Sequence, residues 1–204
     1  MSKRKKELGS EYKAIKFITE LSIDKASQVL SKLLKTGCKI ELSDAALYDI
    51  TDFSQQMFEK NEEIAGAMTD LIGDASFKFL FWVAIEDSLS LADLLMRKSI
   101  GTTKKFDIYA ESSIQEICNI LASSVANIFA RDFSISLKPT PTKVFCDYSG
   151  VVFGEVIQTL ALDVDEIMII ETIFNAVNYK IRCSMFLLPQ AGSIETLNFL
   201  TGMV

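Results

Sequence analysis

Residues 112–129 read Ser112-Ser113-Ile114-Gln115-Glu116-Ile117-Cys118-Asn119-Ile120-Leu121-Ala122-Ser123-Ser124-Val125-Ala126-Asn127-Ile128-Phe129. At about 100° per residue this stretch is a helix with two unlike sides. Ile114, Ile117, Cys118, Leu121, Val125, Ile128 and Phe129 fall together and face a core, while Ser112, Glu116, Asn119, Ser123 and Asn127 fall together opposite them. Ser and Asn are mediocre helix formers, and an idle helix face is normally filled with Lys, Glu, Arg or Gln. The Ser/Asn stripe is therefore a candidate functional surface.

The helix has an upstream counterpart. A first long helix is predicted over about residues 11–36, started at Gly9-Ser10 and stopped by Gly37. Ile15, Ile18, Ala26, Val29, Leu30 and Leu33 gather on its inward side, with Lys13, Glu20, Asp24, Ser31 and Lys35 outward. Residues 39–50 alternate as one or two strands, and 51–60 are ambiguous. Strands at 63–71 and 76–85 flank a hairpin turn at Ile72-Gly73-Asp74-Ala75, and a helix follows at about 87–97.

Beyond a Gly101-Thr102-Thr103-Lys104-Lys105 link the order recurs. A long helix over about 108–131 leads to strand-like 133–137 and 143–147, then a helix at about 150–162. Two β-rich runs follow at 166–174 and 179–188, and a last helix at about 193–200. Lys39-Ile40-Glu41-Leu42 matches Ser134-Ile135-Ser136-Leu137 at an offset of 95, and Ser90-Leu91 matches Ser193-Ile194 at 103. The expected fold class is α/β (α+β), with pseudo-two-fold symmetry and long helices packed on a largely antiparallel sheet. The chain, 1–204, reads as one domain of two related halves (about 11–98 and 108–204) after a basic tail at 1–10.

Composition narrows the function. Hydrophobic residues make up 49% of the 204, enough for a substantial core. A net charge of -6 argues against a nucleic-acid partner. The absence of His removes the usual general base and the commonest metal ligand, so a catalytic triad is nearly excluded and no metal site is expected. Cys38, Cys118, Cys146 and Cys183 show no Cys-x-x-Cys spacing and read as small buried residues in a reducing cytoplasm. The apolar run at 77–85 contains Lys78 and is too short to cross a bilayer, and the basic start SKRKK is not followed by a signal-peptide core. Trp82 and its Phe neighbours read as core, and Asp163, Asp165 and Glu166 as a solvated turn.

The pattern resembles the CheC-type phosphatases of bacterial and archaeal chemotaxis, whose motif is Asp or Ser, three residues, Glu, two residues, Asn, and a distant Pro. Ser112, Glu116 and Asn119 fit it, and Pro141 arrives one residue early. The resemblance also takes in Leu30-Ser31-Lys32-Leu33-Leu34, Val144 to Gly150, Ile169-Ile170-Glu171-Thr172 and Leu187-Leu188-Pro189.

The resemblance implies hydrolysis of the aspartyl phosphate of a CheY-like response regulator in the cytoplasm. Asn119 would hold the attacking water, Glu116 would pair with a Lys of the receiver, and Ser112 would support them. Ser123 and Asn127 would line the contact surface. Asp147 opens a segment, 147–158, that resembles the region used to bind CheD, a second partner. The chain would carry no cofactor of its own, the Mg²⁺ lying on the phosphorylated receiver, and neither nucleic acid nor membrane is implied. At an offset of 95 Glu116 falls over Leu21 and Asn119 over Asp24, so one retained site is expected. The alternative is a non-enzymatic adaptor for CheD or the phosphorylated regulator. A third reading is a flagellar-switch component like FliY, for which an additional switch-binding domain after Val204 would be expected.

Overall fold

Strand alternation is clearest at the centre of the chain, where Phe77, Phe79, Phe81 and Val83 point one way and Leu80 and Trp82 the other, all buried. A strand buried on both faces belongs in the middle of a three-layer arrangement. The computed structural model describes residues 10–35, 37–160, 166–176, 179–190 and 193. In chain order the elements are α1 (Ser10–Leu34), β1 (Cys38–Asp49), α2 (Ile50–Lys60), β2 (Glu63–Gly73), β3 (Ser76–Ala84), α3 (Ile85–Leu95), α4 (Ile108–Phe133), β4 (Leu137–Pro139), β5 (Lys143–Tyr148), α5 (Ser149–Leu160), β6 (Glu166–Ala176) and β7 (Tyr179–Pro189).

The seven strands form one sheet in the order β1-β6-β7-β3-β2-β4, with β5 also on β2, and every pairing is antiparallel. α1, α3 and α4 share one core with one face of the sheet. α2 and α5 pack on the other face, where Phe53, Phe153, Phe186 and Trp82 form a cluster of tilted and edge-on rings. The expected α+β class and antiparallel sheet are therefore what the chain adopts.

Several expectations need correction. The ambiguous stretch at 51–60 is helical: Asp49 caps α2 by accepting from Thr51 N and Asp52 N, and Asn61 ends it in the left-handed region. The strand-like 133–137 run is mostly not a strand, because α4 continues to Phe133 and β4 is only Leu137–Pro139. α1 ends at a left-handed Lys35 (φ 55°), two residues before Gly37, and Arg97 Nη2 donates to Leu33 O at 3.0 Å to satisfy a terminal carbonyl. Val29 and Leu33 are exposed, and Thr19, Ser22 and Ser27 take inward places. Those hydroxyls can be buried because each donates to the carbonyl four residues back, and Ser27 Oγ also accepts from Ile40 N. Cys38, Cys118 and Cys183 are buried as expected, but Cys146 is exposed. The acidic turn at 163–165 and the last helix beyond Ser193 lie outside the described residues.

The order α, β, α, β, β recurs with the broken pair β4 and β5 in the place of β1, and its register differs from the sequence match. α1 and α4 end at left-handed Lys35 and Ser134, which are 99 positions apart. Ile15, Ile18, Thr19, Ser22, Ile23, Ala26, Ser27, Leu30 and Leu34 are buried on α1, and the residue 99 further on is buried on α4 in every case. The strands agree: Cys38 lies against Ala176 in one pairing and Leu137 against Gly73 in the other. The offset of 95 is thus four residues out. A period-two alternation repeats after four residues, and a helix turn is 3.6, so neither pattern separates 95 from 99.

Candidate functional site

α4 is capped by Asp107, whose Oδ1 accepts from Tyr109 N and Ala110 N. Its inward side, from Ala110 and Ile114 through Phe129, is packed against α1, α3 and the sheet. The opposite side carries Ser112, Glu116, Ser123 and Asn127, all exposed, as the stripe predicts. Ser112 makes no side-chain hydrogen bond to a described residue, and Glu116 is in no ion pair with one.

Asn119 is half-buried, and the cause lies in the break between β4 and β5. Both strands pair with β2, β4 against 71–73 and β5 against 63–68. Between them Pro141 has no N–H to give to the ladder. The gap is closed instead by Thr140, whose N–H donates to Asp70 O while its Oγ1 accepts from Asp70 N and its carbonyl accepts from Thr69 Oγ1. Val144 packs with the α4 core and Phe145 with the α2/α5 cluster, so strand alternation turns Thr142 towards α4. There its hydroxyl donates to Asn119 Oδ1 at 2.5 Å.

That hydrogen bond orients the amide. With one lone pair of Oδ1 engaged, the second lone pair and both Nδ2 hydrogens make no hydrogen bond to a described residue. Glu116 stands one turn towards the helix N-terminus, at the about 5–6 Å spacing of (i, i+3) neighbours. The motif Pro therefore has a physical role, since it frees the next residue from the sheet to fix the amide. The sequence reading missed Thr142. Its only signal was a hydroxyl residue directly after the strand-breaking Pro141.

Other candidates fall elsewhere. Asp147 shares its strand face with Phe145, on the α5 side of the sheet and away from Asn119; its Oδ1 accepts from Tyr148 N. It borders a groove with Lys143, Val151 and Glu155. Cys118 is fully buried among apolar side chains, and burial pushes its thiol up to about 12, so it offers no thiolate.

The corrected register also changes the first-half comparison. Glu116 corresponds to Phe17 and Asn119 to Glu20, in place of Leu21 and Asp24. Phe17 and Glu20 are exposed on α1. Ser43, the counterpart of Thr142, is at an irregularity of β1 and donates to Glu171 O rather than to the helix. Of the two long helices, α4 carries the carboxylate and the hydroxyl-bonded amide, and α1 carries neither pair at the matching positions.

No protein-family model matches the chain, and no curated protein does. Among solved structures it is similar to Thermotoga maritima FliY, with a TM-score of 0.76 at 14% identity over 97% of this chain and 98% of that one. It is also similar to the CheX-CheY-BeF3-Mg²⁺ complex from Borrelia burgdorferi, at 0.53 and 18% over 83% and 96%. The fold is of the CheC/CheX/FliY type. The FliM middle domain from H. pylori shares this CheC/CheX/FliY-type arrangement, at 0.67 and 8% over 95% and 99%. Among the described residues, no group of three or more His, Cys, Asp or Glu is placed to hold a metal, and no helix is long and apolar enough to cross a membrane.

Proposed function

We propose that this chain is a phosphatase acting on the aspartyl phosphate of a CheY-like response regulator, with Asn119 positioning the attacking water and Glu116 anchoring the receiver. The observation that carries the reading is the Thr142 to Asn119 hydrogen bond, which presents an oriented amide on an otherwise exposed helix face beside a carboxylate. A carboxamide can hold water as donor and acceptor without repelling the phosphoryl group as a carboxylate would. In the reaction the water oxygen bonds to phosphorus, the bond from phosphorus to the acyl oxygen breaks, and the aspartate leaves as a carboxylate. The proton released from the water passes to the phosphate or to solvent. Positioning and charge stabilisation dominate such transfers, and Mg²⁺ bound by the receiver supplies the latter. A fold-mate solved with CheY and BeF3-Mg²⁺ supports a receiver domain as the partner.

A second reading is a binding module that holds phosphorylated regulator or CheD without turnover. Fold-mates solved as complexes, FliM with SpeE and FliM with FliG from H. pylori, support a binding role for such a fold. The decisive measurement is the decay of CheY phosphorylated from acetyl phosphate, with catalytic amounts of the wild-type chain or of Asn119→Ala. Acceleration by the wild type, reduced about a hundredfold in the variant, corresponds to about 2.7 kcal/mol of barrier. Binding without acceleration by the wild type overturns the phosphatase reading in favour of the adaptor.

A further inference from the structure

We propose that the link between α3 and α4, with the first turn of α4, forms a docking rim for an acidic protein surface, and that its occupant is the phosphorylated receiver; this rests on the proposed function. The chain as a whole carries a net charge of -6, yet residues 97–105 hold Arg97, Lys98, Lys104 and Lys105 and no acid. All four are exposed. Arg97 is committed to the end of α1, and Lys104 and Lys105 make no ion pair with a described residue. The acids around the link are the buried Asp93 beneath it, Asp107, engaged in capping α4, and the exposed Glu111.

The link is held rigidly. Asp93, fully buried on α3, accepts from Thr102 N at 2.9 Å, Thr103 N at 3.0 Å and Thr103 Oγ1 at 2.6 Å. The lysines beside these threonines are thus presented from a preorganised turn, which lowers the entropy cost of binding. Next to them Ile108 is 71% exposed and Tyr109 62% exposed, with Lys98 Nζ 5.8 Å from the Tyr109 ring centroid. An aliphatic and an aromatic side chain at the head of a polar stripe suit an interface anchor inside a charged rim. Tyr109 lies two turns from Glu116 on the same side of α4, so one partner can cover rim and stripe together. The partner that the stripe calls for carries an anionic acyl phosphate, and a basic rim attracts such a surface.

The test uses the full chain with Lys104→Glu/Lys105→Glu, and Lys104→Gln/Lys105→Gln as the milder pair. Turnover is measured on CheY phosphorylated from acetyl phosphate, and binding on BeF3-activated CheY, from about 50 to 300 mM salt. The charge reversal is expected to raise KM and Kd about tenfold with kcat unchanged and to flatten the salt dependence, the neutral pair lying between. Unchanged KM, Kd and salt slope overturn the rim even where Asn119→Ala abolishes turnover. Salt-dependent binding that the reversal weakens, in a wild type without turnover, keeps the rim and removes the phosphatase reading. Loss of binding to phosphatidylserine vesicles with receiver binding unaltered overturns the proposal and assigns the rim to a membrane surface.

Discussion

Replacing Thr142 by valine removes one hydroxyl while keeping the β-branched shape that packs between β5 and α4. The structure gives that hydroxyl one function, donation to Asn119 Oδ1. A neutral intramolecular hydrogen bond is worth about 0.5–1.5 kcal/mol net. If the whole of it fixes the amide for the transition state, kcat falls roughly 2- to 13-fold, because each 1.36 kcal/mol is a factor of ten. That is well short of the effect of Asn119→Ala, since a loosened amide still visits the working orientation. KM should not move where Thr142 acts only through the amide of Asn119. The assay is single-turnover loss of phosphate from CheY at saturating enzyme, alongside thermal melts to separate misfolding from misplacement. Thr142→Ser should restore kcat, and a Thr142→Val chain that folds and turns over at the wild-type rate refutes the orienting role.

Three further outcomes are expected. Glu116→Lys should weaken binding of BeF3-activated CheY by about tenfold or more through repulsion of a receiver Lys, read by fluorescence titration. Glu20→Ala, at the position matching Asn119 on α1, should leave turnover unchanged and stability within about 0.5 kcal/mol, since the side chain is exposed. Burial pushes the Asp93 carboxyl pKa up, but hydrogen bonds from Thr103 and Thr102 outweigh it and hold it below the usual range. A folded pKa below the unfolded value of about 3.9 gives stability that is present above about pH 4 and lost as pH falls through the folded value. Asp93→Asn should therefore cost about 2 kcal/mol at neutral pH and flatten the fall of Tm below pH 4 in melts.

Much of the architecture was open to a sequence reading because it rests on periodicity. The apolar faces of α1 and α4, the β2–β3 hairpin and the α+β class all follow from spacings of 3.6 and 2. The reading failed where a polar group was satisfied in a way spacing does not reveal. Thr19, Ser22 and Ser27 are buried because their hydroxyls bond to their own helix. Val29 and Leu33 are left exposed, on the other side of the same helix. Asp93, which organises the link to α4, looks like any surface acid until its threonine partners are known.

The candidate site divides in the same way. The linear chain alone put Ser112, Glu116 and Asn119 on one polar side of a helix, because residues three and four apart share a face in any α-helix. Only the tertiary structure decided that Asn119 is gripped by Thr142 and that Asp147 lies on the opposite side of the sheet. It also decided that Phe17 and Glu20, not Leu21 and Asp24, stand in the matching places on α1. These depend on strand register and on a contact between residues 23 positions apart. A repeating pattern fixes which way a side chain points, but not which of several equivalent steps along the partner it meets.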